Sequence, residues 1–377
     1  MSSFWEFVKR HKGKIVVGSV AVGGLYTAKK VYDSELLENL TANSVKRKEQ
    51  EEQLLVARKH FIFDSHQQSC DKGLTESIVD IRNIIRSRYP VENIVETVKE
   101  PDLPPEEKIR VFEDIKLKSF ARIISTSFAY SLVIVASKTQ KSIICSETCK
   151  NIQKKRTQEA GSSGVINYVQ SLIFGEEESK RRSTFTDPKV QQVFVNCIQF
   201  LTTSGLSQLF NKIDGVVEEL LLEYPLGKGA SISDFESLLE TAVERIEKEV
   251  GSNNFANLIV PITNVHTKFN GQDATQLEEL LTHFVTLIQL PSCRKLMSLF
   301  VRRFTSKAIQ FLKDDLGSVS QPVAKFLPSI ADSFSAICKN VAESPFQDCL
   351  HSHELHQFTL MAFGSESVKD TIEFGLD

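Results

Sequence analysis

Four side chains able to ligate a metal stand together near the end of the chain: Cys349, His351, His353 and His356. On a helix, His353 and His356 share a face at i, i+3, a geometry from which two imidazoles can meet one ion. A membrane-tethered metal-dependent enzyme is one reading of this cluster. A solvated polar helix face is the preferred one, because no second ligand motif matches it elsewhere in the chain. Cys145 and Cys149 are spaced i, i+4, too far apart for the C-x-x-C redox pair, and read as structural. The sequence has no G-x-x-x-x-G-K-[ST], no G-x-G-x-x-G after a strand and no G-x-S-x-G, so the usual phosphate cradles and the nucleophile elbow are missing. These residues assign no catalytic group, no metal and no cofactor, and point away from an enzyme. A constellation better suited to recognition flanks the turn through Pro101, Pro104 and Pro105. Val98, Val111, Phe112 and Ile115 offer apolar anchors there, with Lys99 and Lys108 at the rim, as in helix-in-groove binding. Taken alone, the same pattern fits core packing of two neighbouring helices better.

The elements that position these residues begin with the N-terminus. Phe4, Trp5 and Phe7 precede Lys9, Arg10, His11, Lys12 and Lys14; Ile15 to Ala28 carries no charge, and Lys29 and Lys30 follow. Aromatic rings at headgroup level, snorkelling lysines and an apolar centre describe a membrane anchor, with Trp5, Lys9, Arg10, Lys12 and Lys14 as its targeting residues. A cleaved signal peptide and a buried helix are the competing readings. The glycines at 13, 18, 23 and 24 disfavour a helix in water. An odd count of seven scattered cysteines shows no disulfide framework, which disfavours export. The predicted division is a short basic tail over 1–14, an anchor over 15–32, a charged helical stalk over 33–62 and a soluble bundle over 63–377, with a flexible insert around 142–187.

With a formal net charge of −3 over 377 residues, the body carries no nucleic-acid footprint, and its 25 phenylalanines read as core or groove formers. Ile78, Ile81, Ile84 and Ile85 mark an amphipathic helix that starts after Asp71-Lys72-Gly73 and ends at Tyr89-Pro90. A helix from Glu106 to about Lys141 is the most apolar in the body, uncharged from Ile123 to Ser137. A second transmembrane span is the sharper reading of that run, and the central helix of a bundle the better one. Further helices are expected from Pro188 to Gly205 and from Leu206 to Tyr224, then from a capping box at Ser233 to Glu236 up to Gly251. The last are expected over Phe255 to Phe269, Thr275 to Gln289, Ser292 to Leu316, Val323 to Val341 and Phe346 to Phe363. No hairpin-bounded alternation appears, so no sheet is expected. The predicted fold is all-α, a large elongated helical bundle on a single N-terminal transmembrane helix.

Four phrases, taken in order, resemble the peroxin-3 family: F-W-E-F-V-K-R-H-K from Phe4, A-R-K-H-F-I-F-D-S-H-Q-Q-S-C from Ala57, F-E-D-I-K-L-K-S-F-A-R from Phe112 and S-V-S-Q-P-V-A-K-F-L-P from Ser318. The resemblance implies an all-helical cytosolic body on one anchor in the peroxisomal membrane, with the lipid bilayer as one partner. It further implies a docking receptor for the farnesylated cytosolic peroxin that chaperones newly made peroxisomal membrane proteins, required for membrane assembly, with no small-molecule substrate. Carried over by position, the groove that takes a helix of that chaperone includes Val98, Lys99, Lys108, Val111, Phe112 and Ile115. Two departures accompany it: Phe112 stands where a tryptophan is usual, and the proline-rich turn carries a short insertion. Lys9, Arg10, Lys12 and Lys14 against Lys29 and Lys30 favour the opposite orientation by the positive-inside rule, so the cytosolic body rests on the resemblance. A mitochondrial or endoplasmic-reticulum tether of the same architecture is the remaining alternative.

Overall fold

The computed structural model of the chain describes residues 44–98, 103–158, 188–260, 272–317, 319–339 and 344–364. The basic tail, the anchor with Trp5, Lys9, Arg10, Lys12 and Lys14, and Lys99 lie outside them. Helix α1 spans Ser44–Arg88, α2 Val91–Val98 and α3 Pro105–Gln158. α4, Pro188–Phe200, passes through a π turn at Leu201–Gly205 into α5, Leu206–Leu221. α6 is Ile232–Ile259, α7 Gln272–Gln289, α8 Pro291–Leu316, α9 Val323–Ile337, α10 Pro345–Leu350 and α11 His353–Gly364. The fold is all-α, as the periodicity predicts.

α3 is the axis, and α1, α2, α5, α8, α9 and α11 all pack against it. α1 runs antiparallel to it, since Gln67 meets Ser142 at 2.9 Å while Tyr89 meets Ser125 at 3.0 Å. Pro105 and the acidic pair Glu106 and Glu107 start α3 where a missing amide proton costs nothing and negative charge suits the helix dipole. From Ile123 to Ala136 every residue is buried. Three hydroxyls in this dry stretch are satisfied within the helix: Thr126 donates to the Arg122 carbonyl at 2.7 Å, Ser127 to Ile123 at 2.9 Å and Ser131 to Ser127 at 2.7 Å. α3 is long and apolar enough to cross a membrane, and its apolar window is wholly buried among the other helices, as a bundle's central helix would be.

Phenylalanines from the surrounding helices close on this axis. Phe235 of α6 lies 5.5 Å from Phe120 and 4.8 Å from Phe326, and Tyr130 stands edge-on to Phe304 at 5.5 Å. Each such ring contributes roughly 1.5–3 kcal/mol by leaving water. All seven cysteines are buried, and none of them forms a disulfide.

Several element boundaries differ from those expected. α1 runs through Gly73 without a break, because Thr75 and Ser77 bond back to the Asp71 and Gly73 carbonyls, and the packing of Leu74, Ile78 and Ile81 outweighs the roughly 1 kcal/mol that one glycine costs. α3 continues to Gln158 rather than ending near Lys141, since Ile143, Ile144, Cys145 and Cys149 are buried, the two cysteines with Phe63 beside Leu360 and Phe363. The capping box of α6 sits two residues earlier than expected: Asp234 donates its amide to the Ser231 hydroxyl at 3.3 Å, and the Ser231 amide donates to the Asp234 carboxylate at 2.7 Å. At Gly251 a φ of +59° kinks α6 rather than ending it. Two-residue strands β1, Gly229–Ala230, and β2, Gln321–Pro322, pair antiparallel where no sheet was expected. They are too short for any alternating pattern to mark them. The helix expected over Phe346 to Phe363 is two helices, α10 and α11.

Candidate docking surface

Pro90 ends α1, and Tyr89 anchors the corner that follows. Its hydroxyl donates to Asp214 of α5 at 2.7 Å and lies 3.0 Å from the Ser125 hydroxyl; burial pushes its pKa up, so it stays a donor. Arg88 adds an ion pair to the same Asp214 at 2.6 Å and a hydrogen bond to Asn211 at 2.7 Å. α2 is then clamped to α3 by Arg122, which is only 1% exposed. Its guanidinium donates to both Glu92 oxygens at 2.9 and 3.0 Å, to the Ala331 carbonyl at 2.8 Å, and lies 4.3 Å from the centre of the Phe334 ring. Burial drives Glu92 upward, but its own helix amide and the Arg122 charge prevail and hold its carboxyl below the usual range. On the α5 side, Lys116 ends among carbonyls, donating to Tyr224 at 2.7 Å and Leu221 at 3.4 Å, where the helix dipole favours a cation.

This scaffold holds the predicted residues unequally. Val98 on α2, with Val111 and Phe112 on α3, is half-buried, and all three pack against the margin of the main core. Lys108 is half-buried beside them. Ile115 is 3% exposed and forms the floor rather than a contact. Sequence reasoning missed Ile109, a large apolar side chain left 58% exposed. Its signal was present: it stands at i−3 from Phe112, on the same helix flank. The corner thus offers an incompletely covered apolar strip on a braced support. An amphipathic helix laid across it would bury that strip.

The His and Cys cluster does not assemble. Ser352 accepts the Leu355 amide at 3.2 Å and separates the two helices, so His351 caps the end of α10 while His353 begins α11. His351 pairs with Gln347 at 3.1 Å and His353 with Gln357 at 2.8 Å. Cys349 is buried, which pushes its thiol up to about 12. Among the described residues no three His, Cys, Asp or Glu side chains are placed to hold a metal.

The described residues form an all-α bundle wound on one buried helix, with a partly exposed apolar strip braced at one corner. The particular family is equally plain: the chain belongs to the Peroxin-3 family, whose model matches residues 97–365. It is 22% identical over 402 residues to peroxisomal biogenesis factor 3 of Rattus norvegicus, covering 99% of this chain and 100% of the relative. The human protein of that name is 20% identical over 403 residues, with 99% and 100% covered, and peroxisome biogenesis protein 3-2 of Arabidopsis thaliana is 19% identical over 363 residues, with 91% and 92% covered. These relatives are named as biogenesis factors, not as enzymes, and the membership supports a role in peroxisome membrane biogenesis.

Proposed function

We propose that the chain is a docking receptor at the peroxisomal membrane for the farnesylated cytosolic peroxin that delivers newly made membrane proteins. The observation that carries this reading is the partly exposed strip of Ile109, Val98, Val111 and Phe112 on a corner fixed by Tyr89 and Arg122. An amphipathic helix of the chaperone covers the strip, Phe112 fills its apolar pocket, Ile115 supports it from below, and Lys108 and Lys99 meet acidic groups at the rim. Phenylalanine supplies less area than tryptophan and no indole donor, so this site depends more on its aliphatic neighbours. A single pass over 15–32 and a charged stalk over 33–62 tie the body, 63–377, to the membrane on its cytosolic side. Ile109→Asp, which keeps the fold because the side chain is mostly in solvent, tests the reading by titration of the full chain in lipid nanodiscs with the chaperone. A clear loss of affinity is expected, against no loss for Val319→Asp on an exposed loop. Equal affinity of both variants refutes it.

A further inference from the structure

A second feature lies far from the docking corner. α1, α3, α4 and the π turn border a cleft of ≈ 240 Å³ with walls that include Leu74, Ile84, Val195 and Ile198. From Ile109 to Lys141 along α3 is about 48 Å at 1.5 Å per residue, so the charged end of the cleft is distinct from the corner. Lys141 enters this cleft only 6% exposed. The nearby carboxylate, Asp71, is already held by Lys138 of the next turn. Among the described residues Lys141 has no ion pair or hydrogen bond, and no other basic side chain lines the cleft. Burial draws its pKa down, against a smaller opposing effect of the Cys70 thiol, which burial itself pushes up to about 11. His66 beside it is neutral at physiological pH, its pKa lowered to about 4 by burial and by the Lys141 charge.

The shape of the cleft narrows the ligand further. Its α1 wall runs from Ser69 to Ile84, about 22 Å of helix, long enough for an extended acyl chain. Lys141 stands at the Cys70 end, while Asp80, exposed on the rim, is about 15 Å further along α1 and clear of a head group at Lys141. The opposite wall includes the π turn, where Thr202 and Thr203 both bond the Gln199 carbonyl, at 3.1 and 2.8 Å, so their hydroxyls are already engaged. Single-turn π segments recur at functional sites. One ammonium at the end of an apolar trough suits a singly charged head better than a phosphate dianion, which calls for several donors. We propose that this cleft binds the anion of a long-chain fatty acid, the carboxylate on Lys141 and the alkyl chain along α1 and α4.

The test uses the full chain in phosphatidylcholine nanodiscs and a long-chain fatty acid bearing a diazirine on its alkyl chain, with labelled peptides mapped after irradiation. Label is expected within residues 69–84 or 195–203. Lys141→Met is expected to cut it about tenfold, Lys141→Arg to retain it, and the methyl ester of the same probe to label about tenfold less than the acid. Thr203→Trp, a replacement at an exposed position on the mouth, blocks the trough without touching Lys141 and is expected to abolish the label even if Lys141→Met folds poorly. Equal labelling by acid and ester, label outside these segments, or label that survives Thr203→Trp overturns the proposal.

Discussion

Replacing Arg122 with methionine should loosen the docking corner at its root. Methionine keeps the length and apolar bulk of the side chain but removes three interactions. The donor to the half-buried Ala331 carbonyl is worth about 1.5–3 kcal/mol, as a hydrogen bond from a charged group. The stacking on Phe334 adds about 1 kcal/mol. The pair with Glu92 adds at most about 1 kcal/mol, because that carboxylate is 56% exposed and rehydrates when released. Against these stands the cost of burying a cation, which methionine relieves, leaving a net loss of about 2–3 kcal/mol. Glu92→Gln, which keeps a neutral acceptor, should cost no more than about 1 kcal/mol. The acid dependence follows from the depressed Glu92 pKa: its share of stability is present at neutral pH, above the unfolded value of about 4.3, and is lost as pH falls through the lower folded value. Urea unfolding of the full chain followed by far-UV circular dichroism measures the losses, and amide exchange over 91–98 reports whether α2 is released. A methionine variant within about 0.5 kcal/mol of the parent, or a glutamine variant as damaging as it, would refute the reasoning.

Two glycines on one continuous helical run should respond with opposite signs. A Cβ at Gly205 would meet the Leu258 carbonyl oxygen at 1.9 Å, so Gly205→Ala is expected to destabilise by about 1–3 kcal/mol, whereas Gly215, with open space around it, should gain about 0.5–1 kcal/mol as alanine. Thermal melts of the two variants check this. His66 has its pKa lowered from 6.5 to about 4, so stability is fully present above pH 6.5 and falls as the pH drops toward 4, by at most about 3 kcal/mol; His66→Gln should flatten that slope in unfolding curves taken across the window.

Much of the fold was legible because its helices bury stripes with a 3.6-residue period. Ile78, Ile81 and Ile85 are buried as that period requires, and the uncharged run of α3 is buried all round from Ile123 to Ala136. What sequence reasoning lost were continuities. Asp71-Lys72-Gly73 carries a break signal in its residue types, but Leu74 and Cys70 supply packing that local propensity does not register. The same holds for α3 beyond Lys141, where Cys145 and Cys149 close on Phe63 from a helix about eighty residues earlier in the chain. At the candidate site, Val98, Val111 and Phe112 could be named from apolar spacing beside the prolines. Whether they faced solvent could not, because exposure depends on which helices cover them. For that reason Ile109 escaped notice and Ile115 was assigned to the surface. The Lys141 cleft left no local signal, since it needs three helices to exist.

The central claim, that the α2–α3 corner receives the chaperone's helix, is tested most directly by Phe112→Ala in the full chain, titrated with the farnesylated peroxin by calorimetry in lipid nanodiscs. Truncation of an aromatic anchor predicts a loss of about 2 kcal/mol, roughly thirtyfold in affinity, with the far-UV spectrum unchanged because Phe112 lies at the margin of the core. Affinity within twofold of the parent, in a variant whose spectrum is unchanged, would contradict the claim.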